Sequence, residues 1–205
     1  ALGRLGVKHG DRIGTIAWNT YRHVEAYYGV AGMGAVTHTI NPRLFPEQLE
    51  YIINHADDQY LVIDTSFVDL VAGMRDKFPN IRGIIVFADK ANMPSKDKLP
   101  GALCYEELIE LENGDYEWPT FDENSAAALC YTSGTTGNPK GALYSHRSTV
   151  LHTLTEIAPD CMGLAARDTV LPVVPMFHVN AWGLPYATAA VGCKLVLPGR
   201  DLDGK

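Results

Sequence analysis

Short β-rich runs take turns with segments of helical spacing through the first hundred residues, and few folds satisfy that alternation. The β-rich runs cover 12–17, 35–40, 60–63 and 83–87. Between them Val24, Tyr27, Tyr28 and Ala31 fall at i, i+3, i+4 and i+7. Leu49, Ile52, Ile53 and Ala56 repeat that spacing, and Phe67, Leu70, Val71 and Met74 repeat it again. Asn19 or Thr20 is placed to cap the first helix, and Pro46 suits the first turn of the second. Strands that alternate with helices require right-handed crossovers, so the expectation is an α/β fold whose mainly parallel sheets carry helices on both faces. The apolar stripes of these helices read as core and carry no chemistry.

The pattern loosens over 88–124. Residues 94–100 read as an exposed loop, 104–111 as a short helix and Asn113-Gly114-Asp115 as a turn. A second βα pattern follows, with strands expected at 126–132, 141–145, 170–174 and 194–197. Helices are expected at 147–157 and within 179–191. At about 150 residues per domain, 205 residues correspond to between one and two. The expected division is a first α/β lobe over 1–112, a connection over 113–124, and the start of a second lobe over 125–205. A net charge of -7 argues against a nucleic-acid partner, which would want clustered Lys and Arg. Cys104, Cys130, Cys161 and Cys193 form no CxxC pair and read as reduced core thiols of a cytoplasmic protein. No apolar run is long enough to span a membrane, and the chain opens at Ala1 without a signal-peptide pattern, as a piece of a longer protein would.

Chemistry concentrates in Thr132-Ser133-Gly134-Thr135-Thr136-Gly137-Asn138-Pro139-Lys140-Gly141. Consecutive Gly, Ser and Thr let several backbone N–H groups turn into one concavity. Hydroxyls add donors that reorient, and Lys140 adds a mobile positive charge. Together they describe a polyphosphate cradle. It is not the Gly-x-x-x-x-Gly-Lys-Ser/Thr loop that opens a helix, because Pro139 precedes the lysine and a strand-like Ala142-Leu143-Tyr144 follows. The same composition also suits a polar surface hairpin with no ligand.

The second constellation is Val174-Pro175-Met176-Phe177-His178-Val179-Asn180-Ala181-Trp182-Gly183-Leu184-Pro185-Tyr186. His178 and Trp182 are four apart, so on a helix they would share a face. An apolar plate beside an imidazole suits an oily chain with a polar head. A core tryptophan with a satisfied histidine is the alternative. His9, His23, His38 and His55 lack metal-ligand spacing. His146-Arg147 either adds positive charge near the phosphates or serves as capping and exposed residues.

The string from Tyr131 to Gly141, with Ser145-His146-Arg147 beyond it, resembles the signature of the adenylate-forming (AMP-binding) superfamily: acyl-CoA synthetases, luciferases and adenylation domains of peptide synthetases. The block around His178 is similar to the wording used by medium- and long-chain fatty acyl-CoA synthetases, and the likeness extends upstream through Ile40-Asn41-Pro42-Arg43-Leu44. The resemblance implies two lobes of the large N-terminal domain of such an enzyme. It implies that Ser133, Gly134, Thr135, Thr136, Gly137 and Lys140 hold the β- and γ-phosphates of ATP, with the Thr132 hydroxyl helping to bind Mg²⁺. It places His178 by the adenylate and acyl carboxylate, Val179 against the adenylate, and Trp182 at the gate of a fatty-acid tunnel.

The implied reaction activates a fatty acid with ATP to acyl-AMP and transfers the acyl group to coenzyme A. The resemblance also makes a homodimer an expectation. The sequence lacks a Tyr-Gly-x-Thr-Glu motif, a downstream Thr-Gly-Asp and a C-terminal lid with its catalytic lysine; Tyr28-Gly29 has no Thr-Glu after it. The expectation is therefore an N-terminal portion, inactive alone. An aryl- or amino-acid-adenylating enzyme and a non-catalytic nucleotide-binding module are the alternatives.

Overall fold

The computed structural model describes residues 1–132 and 137–201. Its main sheet is built from β1 (Arg12–Ile16), β2 (Val36–Thr39), β3 (Asp58–Asp64), β4 (Gly83–Phe87), β5 (Leu103–Cys104), β6 (Ala126–Thr132) and β7 (Lys140–Ser145). The strand order is β5-β4-β3-β1-β2-β6-β7, and every pairing is parallel except that of β6 with β7. The helices are α1 (Tyr21–Gly32), α2 (Pro46–His55), α3 (Val68–Met74), α4 (Tyr105–Glu110), α5 (His146–Glu156) and α6 (Leu184–Val191). Thr20 caps α1 by accepting from the His23 amide, and Pro46 opens α2.

Period-2 alternation assigns the strands' side chains to two faces. Leu61, Ile63, Ile84 and Val86 join Leu49, Ile52 and Ile53 of α2 and Val68 and Val71 of α3 in one core. Tyr60, Val62, Ile85 and Phe87 join Ala26 and Val30 of α1 on the other face, where Leu108 of α4 packs. Both faces are therefore covered, as a parallel sheet requires. At Gly14 a Cβ would come within 2.7 Å of the Leu61 side chain and 2.8 Å of Asp58 Oδ2, so strand and core approach too closely for a larger residue.

Several expectations need correction. Strand β6 pairs with β2, so the strands on either side of residues 113–124 share one sheet, and the first sheet runs on to Ser145. A second, two-stranded sheet begins with β8 (Thr169–Val170) and β9 (Lys194–Leu195). Sequence periodicity identifies strands but not which neighbour they bond. The strand expected at 170–174 stops at Val170. Pro172 and Pro175 bring no N–H, and the Asn19 side chain takes the partner's place beyond it. Cys161 is exposed and so is not a core thiol, although all four cysteines are free.

Candidate active site

The carboxyl ends of parallel strands are where open α/β sheets bind ligands. The segments that follow β1, β2 and β6 leave the sheet at that end: Trp18-Asn19, Asn41-Pro42-Arg43, and the loop after Thr132. Thr132 pairs with Lys140, so the phosphate-loop candidate closes a hairpin between two antiparallel strands. Ser133, Gly134, Thr135 and Thr136 lie outside the described residues. Thr132 is exposed, and its hydroxyl makes a long 3.4 Å bond to the Lys140 carbonyl. Lys140 is exposed, and Gly137 adopts φ +98° with nothing among the described residues within 4 Å of where a Cβ would stand. An open left-handed glycine, a loosely held hydroxyl and an exposed ammonium are a donor set that fits an anion.

The strand feeding this loop is held firmly. The Tyr131 ring lies against buried His38, and its hydroxyl bonds His55 Nδ1 at 2.6 Å. Burial pushes the Tyr131 phenol up to about 12, so at neutral pH it keeps its proton and shares it or the imidazole's in this bond. Arg147 pairs with Glu123 at 2.6 Å, and the His146 ring packs against Phe121, where burial lowers its proton affinity.

The second constellation departs from a right-handed helix. Val179, Asn180, Ala181 and Trp182 have φ of 48°, 50°, 49° and 60°, and Gly183 follows at 89°. This is a left-handed turn of four non-glycine residues, each costing about 1–2 kcal/mol relative to the right-handed form. His178 and Trp182 therefore do not stack on one helical face; His178 is extended, and the turn separates it from Trp182. Regular helix resumes only at Leu184. The turn leaves Val179 and Trp182 41% and 53% exposed, which excludes a core tryptophan within this chain, and His178 is exposed as well.

What sustains the strain is a set of buried polar anchors that sequence reasoning missed. The Asn19 amide donates to the Pro172 and Val174 carbonyls at 3.0 Å each, and its Oδ1 accepts from the Met176 amide at 2.7 Å. Tyr27 donates its hydroxyl to the Met176 carbonyl, 3.2 Å from Asn180 Oδ1. The Cys130 thiol donates to that same oxygen at 3.4 Å. Cys130 stands on β6 two residues before Thr132, so the turn carrying His178 and Trp182 is tied to the strand that feeds the phosphate loop. An asparagine after a β-run was the available signal, but it reads as a helix cap until its partners, more than 150 residues away, are seen. Arg43 lies over the Trp18 and Phe177 rings at 6.0 and 5.8 Å and brings the 40–44 stretch to the same end. A separate apolar hollow of about 280 Å³, lined by Val30, Met33, Leu108 and Trp118, contains none of these residues.

The chain is 55% identical over 204 residues to a medium-chain-fatty-acid–CoA ligase of Ectopseudomonas oleovorans, covering 100% of this chain and 37% of that protein. It is 56% identical over 205 residues to a 3-methylmercaptopropionyl-CoA ligase of Ruegeria lacuscaerulensis, covering 100% and 38%. A long-chain-fatty-acid–CoA ligase of Thermus thermophilus is 48% identical over 202 residues, covering 98% and 36%. The chain thus spans less than two-fifths of the length of these relatives. An anthranilate CoA ligase bound to anthranoyl-AMP shares the fold, with a TM-score of 0.81 at 24% identity over 97% of this chain and 37% of that one. The model of the AMP-binding enzyme family matches residues 1–205, and the chain belongs to that family.

Proposed function

We propose that this chain is the phosphate-gripping and acid-positioning part of an acid–thiol ligase that activates an aliphatic carboxylic acid, with a medium-chain fatty acid as the leading candidate. One observation carries the reading: through Cys130 and Asn180, the turn bearing His178, Val179 and Trp182 is fastened to the strand that enters the Gly/Thr loop. Triphosphate and acid would meet at one end of the sheet.

In the first half-reaction a carboxylate oxygen attacks the α-phosphorus of ATP, forming acyl-AMP and releasing pyrophosphate. In the second, the thiol of coenzyme A attacks the acyl carbonyl, AMP leaves and the thiol proton is released. An anion approaching a polyanion must have its repulsion offset and its path aligned. Lys140, Gly137 and the Ser133–Thr136 donors would serve the β- and γ-phosphates. The Thr132 hydroxyl would add one ligand to a Mg²⁺ travelling with the nucleotide. Among the described residues no cluster of three His, Cys, Asp or Glu could hold a metal. His178 would sit by the acyl carboxylate, Val179 by the adenylate, and the half-exposed Trp182 indole would face the acyl tail.

The 56% identical 3-methylmercaptopropionyl-CoA ligase favours a second reading within this chemistry, a short thioether acid. Four uncrosslinked cysteines and the absence of a helix long and apolar enough to cross a membrane, among the described residues, support a cytoplasmic setting. A homodimer is testable by light scattering. Pyrophosphate exchange, run on the ligase containing this chain with fatty, thioether, aryl and amino acids, tests the whole reading. Exchange should follow the aliphatic acids, and Lys140→Ala should lower it by about 100-fold. Exchange restricted to aryl or amino acids, or unaffected by Lys140→Ala, rejects the assignment.

A further inference from the structure

Helix α5 presents two side chains to the underside of the left-handed turn. His152 and Glu156 are four residues apart and share a face. His152 Nε2 donates to the Trp182 carbonyl at 2.9 Å, which places the ring proton on that nitrogen, since a carbonyl only accepts. Glu156 Oε2 lies 3.8 Å from the same nitrogen. The Glu156 side chain is 3% exposed, yet neither carboxyl oxygen has a hydrogen-bond partner among the described residues. Gly183 closes the arrangement: a Cβ there would stand 2.7 Å from Glu156 Oε2, 2.8 Å from His152 Cδ2 and 3.0 Å from His152 Nε2.

Four consecutive non-glycine residues in the left-handed region do not hold themselves there. Within the turn the Ala181 amide reaches back to the His178 carbonyl. The Asn180 side chain is tethered to β6 by Cys130, but that tether precedes Trp182. The Trp182 carbonyl is gripped by His152, and the glycine after it is walled by Glu156. We propose that His152 and Glu156 form a seat that fixes the stance of Trp182, and so act as positioning residues for the choice of acid. A buried carboxyl left without partners is otherwise an unexplained cost, and here it fills the space behind the glycine. The inference rests on the reading of Trp182 as the plate facing the acyl tail.

Two tethers on separate residues make the effects separable. Losing His152 frees the backbone at Trp182 while leaving Asn180, Cys130 and the phosphate loop in place. The test compares kcat/KM for dodecanoate and butanoate in the ligase containing this chain. Trp182→Ala and His152→Ala should each move that ratio by about five-fold or more, the size of a single methylene gained or lost in a pocket. KM for ATP should stay within about two-fold, and the double variant should move the ratio no further than Trp182→Ala alone. His152→Gln, which keeps a donor at similar reach, should restore the parent ratio.

If Trp182→Ala moves the ratio and His152→Ala does not, the seat is refuted while the acyl-plate reading stands. An additive double variant refutes the seat as well. If Trp182→Ala itself leaves the ratio unchanged, the acyl-plate reading fails and takes the seat with it. Should His152→Ala not yield folded protein, Gly183→Ala crowds the same seat from the turn's side and must shift the ratio in its place; an unchanged ratio there overturns the proposal.

Discussion

The six-strand parallel core and the segment 172–183 are held by different physics. In the core, Leu61, Ile63, Val86 and their helix partners are almost wholly buried, and the restraint is spread over many interchangeable apolar contacts. In the segment, Asn19, Tyr27, Asn180, Cys130 and His152 hold a strained backbone through a handful of directed bonds. Distributed burial tolerates local change and yields stability, whereas a few directed bonds fix atoms in place at the expense of strain. The contrast predicts that core substitutions lower stability with little effect on the acid site, and anchor substitutions do the reverse.

The largest expected effect is on the core side. Leu61→Ala should destabilise by about 2–5 kcal/mol, read as a lower melting temperature, with KM for the acid unchanged in the folded fraction. A raised acid KM at unchanged melting temperature would break the contrast.

Next comes a pH effect at the junction of the two regions. Buried His23 accepts from Thr15 at Nε2 and donates from Nδ1 to the Trp18 carbonyl, next to Asn19. Burial lowers its proton affinity to about 4 from 6.5. The folded state then binds fewer protons than the unfolded state between those values. The stabilisation is complete above pH 6.5 and lost as pH falls toward 4, amounting to about 3 kcal/mol. Melting temperature followed from pH 7 to pH 4 should fall more steeply in the parent than in His23→Gln, and parallel curves would exclude His23 as the source.

Asn19→Ala should show the smallest loss of stability, about 1–3 kcal/mol, because some of the stranded groups near the segment will recover water. Its signature is functional: acid KM should rise about ten-fold while the melting temperature falls less than in Leu61→Ala. An unchanged acid KM would show that the segment holds its shape without this clamp.

Legibility followed the same divide. The strand runs 60–63 and 83–87, the α1 and α2 stripes, the Thr20 cap and Pro46 could all be read because they depend on neighbours a few residues away. The hairpin carrying Thr132 and Lys140 was legible from its Gly/Thr string between two strand-like runs. The hand of the turn at 179–182 was not, since Val, Ala and Trp disfavour positive φ and Asn takes it readily only as a single residue; the anchors enforce the run of four. Nor was the role of Asn19, whose hydrogen-bond partners lie on a distant part of the chain.

Spacing and residue type alone therefore determined the layered α/β class, the positions of most helices and the location of the Gly/Thr loop, since each is fixed by interactions local along the chain. Tertiary structure alone decided that β6 joins the first sheet, that residues 179–182 form a left-handed turn between His178 and the following helix, and that this turn is tied to the loop's strand. Those outcomes depend on hydrogen bonds between residues 30 to 157 positions apart, for which a linear pattern holds no record.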